Sequence, residues 1–334
     1  MLRGLNAEIE RWQLNKPFRI SRGVRTAIDV VSITLEQDGV IGRGECSPNA
    51  RYGETAESAL AQIQAVGDAL RAGATREEVG TLLPAGAARN AVDCALWDLD
   101  AALGVPDAVA LLSAPLPAIH TAFTVSLDTA EKMGEAAKEL RGIELVKIKS
   151  NSEDTEACLR AVRASLPGSR LVVDANEGWS IELLEQLQPA LVELDIKMVE
   201  QPLPADQDGD LLGFKSLVPI CADESCHVAA DVERLADRYD MVNIKLDKTG
   251  GLTEALRLLA AARARDMGVM VGCMMSTSLS IAPALRVAAH ADFVDVDAPL
   301  WLQSDLPGGI SLAEGGRVVV PAPGFWGDRS VVAS

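Results

Sequence analysis

The sequence predicts an α/β protein in which a TIM-like (β/α)7β barrel follows an N-terminal α+β capping domain. Three observations lead to this fold class. From Ala118 onward, short apolar runs alternate with amphipathic helical segments, which is typical of βα units. From the second run on, these runs end at intervals of roughly 22 to 27 residues, close to the repeat of a compact barrel. A chain of 334 residues with 48% hydrophobic residues is also long and apolar enough for a barrel and a smaller domain.

The N-terminal part of the sequence predicts strands first and helices afterwards. Alternating apolar residues at 5–14, 30–37 and 40–46, with a turn at Asp38-Gly39, predict a three-stranded antiparallel meander. Helical spacing follows from residue 55 to 70 and from 88 to 99, and it stops at Gly104 and Pro106. We therefore expect a capping domain at 1–117, a barrel at 118–310, and a C-terminal segment at 311–334 that packs back on the capping domain.

Composition excludes several classes of partner. The net charge of -17 would repel nucleic acid and anionic membranes, and no apolar stretch has the length of a signal sequence or a membrane span. The six cysteines are scattered without a CxxC pair, as in proteins of a reducing compartment. We expect a cytoplasmic protein with a small-molecule substrate, and the sequence leaves a homo-oligomer open.

Ionisable residues stand at the predicted ends of the barrel strands. In a barrel these ends meet at one face, where active sites are built. A single such residue is usually a solvated charge at the start of a loop, but a run of strand ends with the same feature favours a site. The residues are Lys147, Lys149, Asp174, Asn176, Glu200, Asp223, Glu224, Lys245, Asp247, Asp295 and Asp297.

Three of these carboxylates predict a metal site. Asp174, Glu200 and Asp223 follow consecutive strands, so they should converge, and unpaired they would repel one another. Oxygen-only ligands on a rigid frame suit Mg2+, whereas the three histidines are not spaced as a zinc set. We therefore predict Mg2+ as the cofactor.

Two lysines predict proton transfer. Lys149 on the second strand and Lys245 on the sixth should lie on opposite sides of the barrel mouth, with the metal ligands between them. One lysine could remove the α-proton of a carboxylic acid while the other returns a proton to the opposite face. We expect burial and the neighbouring Lys147 to lower the pKa of a lysine base. The alternative is that these lysines only neutralise the carboxylates as structural ion pairs.

Five short motifs resemble the muconate-lactonizing subgroup of the enolase superfamily: 147–149 (KIK), 174–176 (DAN), 200–202 (EQP), 223–225 (DES) and 245–247 (KLD). The resemblance covers nearly the whole chain and implies enolase-superfamily architecture, with Lys149 and Lys245 as the paired acid-base catalysts. It further implies that Lys147 and Asn176 support the enolate and the metal, with Glu224 and Asp247 in supporting positions. Members of this superfamily use a lysine or histidine base beside Mg2+.

The eighth strand predicts the substrate class. Asp295 and Asp297 are spaced by two, so an extended backbone would point both carboxylates the same way. The pair resembles the aspartates with which dipeptide epimerases hold the α-ammonium of their substrate, and a solvated pair is the alternative. Longer strings at 83–90, 221–227 and 243–252 are also similar to dipeptide epimerases. That resemblance implies that Arg25 receives a side-chain carboxylate of the substrate.

The expectation from the sequence is a Mg2+-dependent epimerase that inverts the α-carbon of the C-terminal residue of a dipeptide such as L-Ala-L-Glu, in cell-wall peptide metabolism. Other members of the subgroup remain alternatives, namely a cycloisomerase, an o-succinylbenzoate synthase or an acid dehydratase. A non-catalytic dipeptide-binding barrel is a further alternative. A dinucleotide fingerprint is excluded, because Ser47 stands where the motif begun by Gly42 and Gly44 needs a third glycine.

Overall fold

The computed structural model describes residues 2–20 and 23–327, except for the side chains of residues 17–20 and 23–25. An N-terminal antiparallel sheet with helices precedes an eight-stranded parallel sheet that is nearly closed into a barrel. The predicted fold class is confirmed. The N-terminal elements are β1 (Gly4–Ile20), β2 (Gly23–Gln37), β3 (Val40–Cys46), α1 (Ala56–Ala65), α2 (Gly67–Arg71), α3 (Arg76–Leu82), α4 (Ala87–Ala102) and α5 (Pro106–Leu112).

The first three strands form the predicted meander in the order β1-β2-β3. The turn between β2 and β3 lies at Asp38-Gly39, where both residues have a left-handed backbone. The first two strands are longer than the sequence indicates, because their pairing continues past an irregularity between Gln13 and Phe18. Residues 18–20, which lie beyond the predicted strand at 5–14, therefore pair with 23–25.

Two glycines let β3 lie directly on α4. A Cβ atom at Gly42 would come within 2.3 Å of Ala95 O, and one at Gly44 within 2.0 Å of Ala91 O. Only glycine permits this approach of sheet backbone to helix backbone. The glycine pair that resembled half of a nucleotide-binding motif is thus a packing device.

Helix α4 is buried on every side over most of its length, as its apolar sequence requires. Besides β3, it packs against two helices of the barrel, α10 (Leu246–Thr249) and α11 (Leu252–Ala264). The side chain of Arg89 donates to the carbonyl oxygen of Gly250 at 3.2 Å, and Asp93 accepts from the backbone N–H of Thr253 at 2.9 Å. The N-terminal region is therefore joined to the barrel by buried polar contacts as well as by apolar packing.

The barrel strands run in sequence order from β4 to β11, all parallel. The backbone N–H of Ala122, just before β4, donates to Val294 O in β11 at 2.7 Å and brings the two ends of the sheet together. The strands are β4 (Phe123–Val125), β5 (Leu145–Lys149), β6 (Arg170–Asp174), β7 (Ile196–Glu200), β8 (Ile220–Ala222), β9 (Met241–Ile244), β10 (Gly268–Gly272) and β11 (Phe293–Asp295).

The interior of the barrel is layered. A small cluster of apolar side chains, one from each strand or from the residue before it, fills one layer: Ala122, Leu145, Val172, Met198, Cys221, Met241, Met270 and Phe293. Because side chains alternate along a strand, the residue two positions further on faces the same way. For all eight strands that residue is polar or glycine: Thr124, Lys147, Asp174, Glu200, Asp223, Asn243, Gly272 and Asp295. The polar layer therefore rests on an apolar floor.

Helices cover most of the barrel connections: α6 (Ala130–Lys138), α7 (Thr155–Ser165), α8 (Ile181–Glu193), α9 (Val232–Leu235), α10 (Leu246–Thr249), α11 (Leu252–Ala264) and α12 (Ser278–Ala288). The connection after β7 departs from the regular pattern, because it contains only a short 3-10 turn at Asp208–Leu211. Buried Asp208 accepts hydrogen bonds from Arg234, Arg238 and Tyr239, which fix that turn against the following connection.

The C-terminal segment forms a small hairpin of β12 (Ser311–Leu312) and β13 (Val318–Val319) and then reaches the N-terminal region. The indole Nε1 of Trp326 donates to Arg43 O in β3 at 3.0 Å, and the backbone N–H of Gly327 donates to Asp98 Oδ1 in α4 at 2.7 Å. Among the residues that the structure describes, no helix is long and apolar enough to cross a membrane.

Candidate active site

A cavity of about 320 Å3 opens at the carboxyl ends of the barrel strands. Its walls come from the barrel mouth and from the loop of residues 47–53 that follows β3, called here the β3 loop. Of the predicted residues, the cavity is lined by Lys147, Lys149, Asn176, Asp223, Glu224, Lys245, Asp295 and Asp297. These predicted residues come from five of the barrel strands or the loops after them, and they meet a segment of the N-terminal region at one cavity.

Lys149 stands on one side of this cavity at the end of β5. Its Nζ lies 2.6 Å from Asp174 Oδ2 and 3.1 Å from Asn176 Oδ1, and both oxygens accept hydrogen bonds from it. The side chain is mostly buried, with 12% of its surface exposed. The ammonium group is therefore held by β6 and the turn after it, in a fixed direction.

Lys245 stands on the other side, directly after β9. Its Nζ donates to Asp223 Oδ2 at 2.7 Å, and its side chain is also 12% exposed. Gly272 on the neighbouring strand leaves room for it, since a Cβ atom there would come within 2.9 Å of the Lys245 Cε atom. The two lysines are thus alike in burial and each is paired with one carboxylate.

The pKa of Lys245 differs from the expectation. Burial lowers it, as predicted, but the charges of Asp223 and Glu200 outweigh burial, and the net pKa is raised above its usual value. The prediction of a lowered pKa is wrong for this arrangement, because burial and Lys147, on which it rested, are outweighed by the two carboxylates. Ion pairing keeps Lys245 protonated here.

Lys147 lies at the centre of the polar layer. Its Nζ is 2.9 Å from Asp174 Oδ2, 2.8 Å from Glu200 Oε2 and 2.9 Å from Asp295 Oδ2. Burial of Lys147 disfavours its charge, but these three carboxylates more than compensate and raise its pKa. Lys147 therefore lies between two of the predicted metal ligands, Asp174 and Glu200, and Asp295 of the predicted ammonium site.

The three predicted metal ligands are buried on consecutive strands. In the arrangement described, lysine ammonium groups lie between the carboxylates, and within residues 2–20 and 23–327 no three His, Cys, Asp or Glu side chains are grouped to hold a metal ion as they stand. Burial opposes ionisation of Asp174 and Asp223, yet the lysines lower the pKa of both.

The donor set nevertheless fits a hard dication. Burial and the nearby charge of Asp174 raise the pKa of Glu200 to about 7, so a cation bound in this layer would favour the ionised form of Glu200. All the donors are oxygens on rigid strand ends, which is the chemistry that Mg2+ prefers. Asp174, Glu200 and Asp223 are the side chains that would hold it.

Asp295 and Asp297 both line the cavity, although the backbone reason differs from the predicted one. Strand β11 ends at Asp295, and Asp297 begins a 3-10 turn with helical backbone angles. Asp297 Oδ2 accepts from Trp301 Nε1 at 3.2 Å, and burial together with Asp295 raises its pKa to about 7. Asp295 Oδ1 is buried without a hydrogen-bond partner among the described residues. The pair thus offers acceptor oxygens that protein donors do not fully satisfy.

Two residues of the site were missed. Asn243 donates from Nδ2 to Glu200 Oε1 at 2.7 Å, and Lys248 donates from Nζ to Asp223 Oδ1 at 2.6 Å. Asn243 could have been found from the two-residue alternation, because it stands two positions after Met241 of the apolar floor. Lys248 lies in the short helix α10, and no strand periodicity points to it. Its burial behind Asp223 depends on the turn of the chain after β9.

The remaining predicted residues divide into three groups. Asn176 contacts Lys149, and Glu224 is buried and lines the cavity. Asp247 faces away from it: its Oδ1 accepts from the Ser47 N–H at 3.0 Å and from Asn90 Nδ2 at 2.9 Å, both in the N-terminal region. Burial raises the pKa of Asp247 to about 7. The side chain of Arg25 lies outside the described residues.

Comparison with protein families identifies two matches. Residues 4–108 match the mandelate racemase / muconate lactonizing enzyme N-terminal domain, and residues 129–325 match the enolase C-terminal domain-like family. Together they cover the N-terminal sheet with helices α1 to α4 and the barrel from α6 onward.

Two curated relatives match over most of their length. L-Ala-D/L-Glu epimerase of Escherichia coli K12 is 45% identical over 309 residues, which are 92% of this chain and 96% of that protein. N-acetyl-D-glutamate racemase of a Pseudoalteromonas species is 40% identical over 289 residues, 86% of this chain and 91% of that protein.

Two solved structures share the fold. An enolase family member from Agrobacterium tumefaciens, with homology to dipeptide epimerases, was solved with sodium and L-Ala-L-Glu bound. It is 46% identical to this chain with a TM-score of 0.93, and the match covers 97% of this chain and 99% of that one. A dipeptide epimerase from Cytophaga hutchinsonii, complexed with Mg and D-Ala-L-Val, is 29% identical, with a TM-score of 0.88 and coverage of 96% and 94%.

Proposed function

This chain belongs to the mandelate racemase / muconate lactonizing enzyme family of the enolase superfamily, and on that premise we propose that it is a Mg2+-dependent dipeptide epimerase. The reaction inverts the α-carbon of the C-terminal residue of dipeptides of the L-Ala-D/L-Glu type. The observation that carries the proposal is the opposition of Lys149 and Lys245 across a cavity that Asp295 and Asp297 also line. One pair supplies the chemistry and the other recognises a dipeptide.

The two lysines would act as the acid and the base. A lysine that loses its carboxylate partner and then its own proton is a neutral amine, which can accept the α-proton from one face, while the opposite lysine, still an ammonium, delivers a proton to the other and becomes the neutral amine. Lys147 would stabilise negative charge on the substrate carboxylate. Mg2+ held by Asp174, Glu200 and Asp223 would stabilise the same developing charge. We propose supporting roles for Asn176 at Lys149, for Glu224 at the cavity wall and for Asp247 behind Lys245.

Asp295 and Asp297 would bind the α-ammonium of the substrate. The buried Asp295 Oδ1, with no hydrogen-bond partner among the described residues, supports this role, because a buried charged acceptor is costly to leave unpaired. Asp297 ionises near neutral pH and then adds a second charge-assisted acceptor. We further propose, from the family resemblance, that Arg25 receives the side-chain carboxylate of the C-terminal residue.

The wider setting is proposed on the same basis. We propose a division into a capping domain (1–117), a barrel (118–310) and a C-terminal segment (311–334), which the contacts of Trp326 with β3 support. A cytoplasmic location, recycling of cell-wall peptides, a possible homo-oligomer and the absence of nucleic-acid and membrane partners complete the proposal. The acidic net charge of -17 supports the last point.

A second candidate follows from the relative named N-acetyl-D-glutamate racemase. A substrate of that kind has an acylated nitrogen and no free ammonium, so it would gain nothing from two aspartates. The cavity of this chain therefore favours the dipeptide, and the two substrates can be compared directly.

The test is α-proton exchange and inversion of L-Ala-L-Glu in D2O, measured by NMR beside N-acetyl-L-glutamate and N-acetyl-L-Ala-L-Glu. Only the free dipeptide should react, and Asp297→Ala should lower its kcat/KM by a factor on the order of 10^2 to 10^3, as expected when one partner of a shielded charge pair is lost. Asp292→Asn, at the opposite end of β11, is the control and should keep full activity. Equal turnover of the acylated compounds would indicate that the substrate is an N-acyl amino acid and not a free dipeptide.

A further inference from the structure

The turn after β6 has an unusual backbone. Asn176 and Glu177 both adopt left-handed φ angles, 45° and 66°, although neither is glycine. Such residues persist only where surrounding contacts hold them, and they cluster at functional sites. The next residue, Gly178, sits so close to the chain that a Cβ atom would come within 2.8 Å of Ala175 O. The turn is therefore tightly constrained.

One end of this turn holds a proposed base. Asn176 Oδ1 accepts the hydrogen bond of Lys149 Nζ at 3.1 Å, and the Asn176 N–H donates to Asp174 Oδ1 at 2.9 Å. The position of Asn176 thus sets the direction of the Lys149 ammonium toward the cavity. Lys245 donates instead to Asp223, on the other side of the cavity.

The other end holds the β3 loop. Arg51 donates from Nε to Glu177 Oε2 and from Nη2 to Glu177 Oε1, both at 2.7 Å, so the two side chains meet as a bidentate pair. Glu177 Oε1 also accepts from the Ala205 N–H at 2.9 Å, in the loop after β7. A single carboxylate therefore joins three loops around the cavity.

Taken with the proposed function, on which it rests, this geometry points to a coupling: we propose that Arg51 and Glu177 are positioning residues that dock the β3 loop on the barrel and thereby hold Asn176 against Lys149. The left-handed turn is the connecting element, because Asn176 and Glu177 are adjacent and share its backbone. Docking of the β3 loop through Arg51 then acts on the Lys149 side of the α-carbon, whereas the Lys245 side is held by a separate contact of the loop, from the Ser47 N–H to Asp247.

Variants that keep only one of the two lysines show which face of the α-carbon depends on the Arg51–Glu177 contact. In Lys245→Ala only Lys149 can exchange the substrate α-proton with solvent, and in Lys149→Ala only Lys245 can. Each variant should exchange one of the two epimers in D2O without inverting it. These two enzymes are the parents into which Arg51→Met and Glu177→Gln are introduced.

Arg51→Met should slow the exchange catalysed by Lys149 alone by roughly tenfold, since small displacements of a reacting group cost that much or more. It should change the exchange catalysed by Lys245 alone by less than about twofold. Glu177→Gln should act in the same way, and the double variant Arg51→Met/Glu177→Gln should add nothing, because both members serve one contact. Arg51→Lys, which keeps the charge and loses the fork, should fall between.

The matched control is Arg160→Met. Arg160 forms a similar bidentate pair with Glu193, at 2.7 Å and 2.8 Å, between α7 and α8 and away from the cavity. Its removal should leave both exchange rates unchanged, and thermal unfolding of each variant reports any loss of fold.

The outcomes separate the two proposals. If both parents exchange and Arg51→Met slows the two bases equally, or neither of them, the positioning role is refuted while the epimerase stands. If the native chain neither exchanges nor inverts the dipeptide, the proposed function fails and this inference fails with it.

Discussion

Two sets of buried carboxyl groups in this molecule behave in opposite ways. At the barrel mouth, Asp174 and Asp223 pair with lysines, and their pKa values are lowered despite burial. At the junction between the N-terminal region and the barrel, the carboxyl groups accept hydrogen bonds from uncharged donors, and burial raises their pKa values: Glu45 to about 8, Asp247 to about 7 and Asp93 to about 6. Burial is similar for these five groups, so the lysine partners account for the opposite sign at Asp174 and Asp223. Glu200 faces Lys147 but also the charge of Asp174, and its pKa stays raised.

The difference separates chemistry from assembly. A charged carboxylate at the mouth can release its lysine and bind a metal cation or a positively charged substrate group instead, because all three carry the opposite charge. At the junction, Glu45 accepts from Thr277 N and Asp247 from Ser47 N, and neither contact requires a counter-ion. The raised pKa of Lys245 follows from the first arrangement and is expected to fall when Asp223 is neutralised in another way.

The largest effect should come from removing a lysine at the mouth. Lys245→Ala or Lys149→Ala should lower the rate of epimerisation by a factor of about 10^3 or more, because one face of the α-carbon then lacks its acid or base. Each variant should still exchange the α-proton of one epimer, which NMR in D2O detects. An epimerase that keeps its full rate without Lys245 cannot use two bases.

A metal ligand should come next. Asp223→Asn should lower both Mg2+ affinity and activity by a factor on the order of 10 to 100, because a charged ligand becomes neutral, and chelation should remove activity that Mg2+ restores. Isothermal titration with Mg2+ measures the affinity. Asp93→Asn provides the contrast from the junction, since Asp93 accepts hydrogen bonds from the N–H and hydroxyl of Thr253, and the Mg2+ affinity of this variant should match the native value. Full turnover after exhaustive chelation would exclude the metal assignment.

The smallest effect concerns the junction. The pKa of Glu45 is near 4.5 in the unfolded chain and about 8 in the folded protein. Between these two pH values Glu45 is protonated in the folded state and ionised in the unfolded state. Stability should therefore decline as the pH rises through this window, and Glu45→Gln should flatten the decline. Thermal unfolding from pH 5 to 9 measures it, with the exposed Glu135→Gln as control. A native Tm independent of pH over this range would contradict the raised pKa.

Strand periodicity made much of the site predictable. Lys149, Asp174 and Glu200 are the last residues of their strands, and they meet because parallel strands end at one face. The helical turn that includes Asp297 and the buried Lys248 could not be read in the same way, since both depend on how the chain turns after a strand has ended. The pKa of Lys245 was mispredicted for a related reason. Burial can be predicted from an apolar run of residues, whereas the nearest opposite charge depends on how the side chains pack.

The contacts of Asp247 bear on how freely the two parts of this chain could be recombined with those of other proteins. This carboxyl lies two residues after Lys245, and its hydrogen bonds come from Ser47 and Asn90 in the N-terminal region. A chimera that supplied a foreign sheet and helix without an equivalent N–H and amide would bury an unsatisfied acceptor beside the catalytic lysine, at a cost of about 1–3 kcal/mol. Exchange of modules is therefore constrained at this junction, and designs that transplant the barrel should carry Ser47 and Asn90 with it.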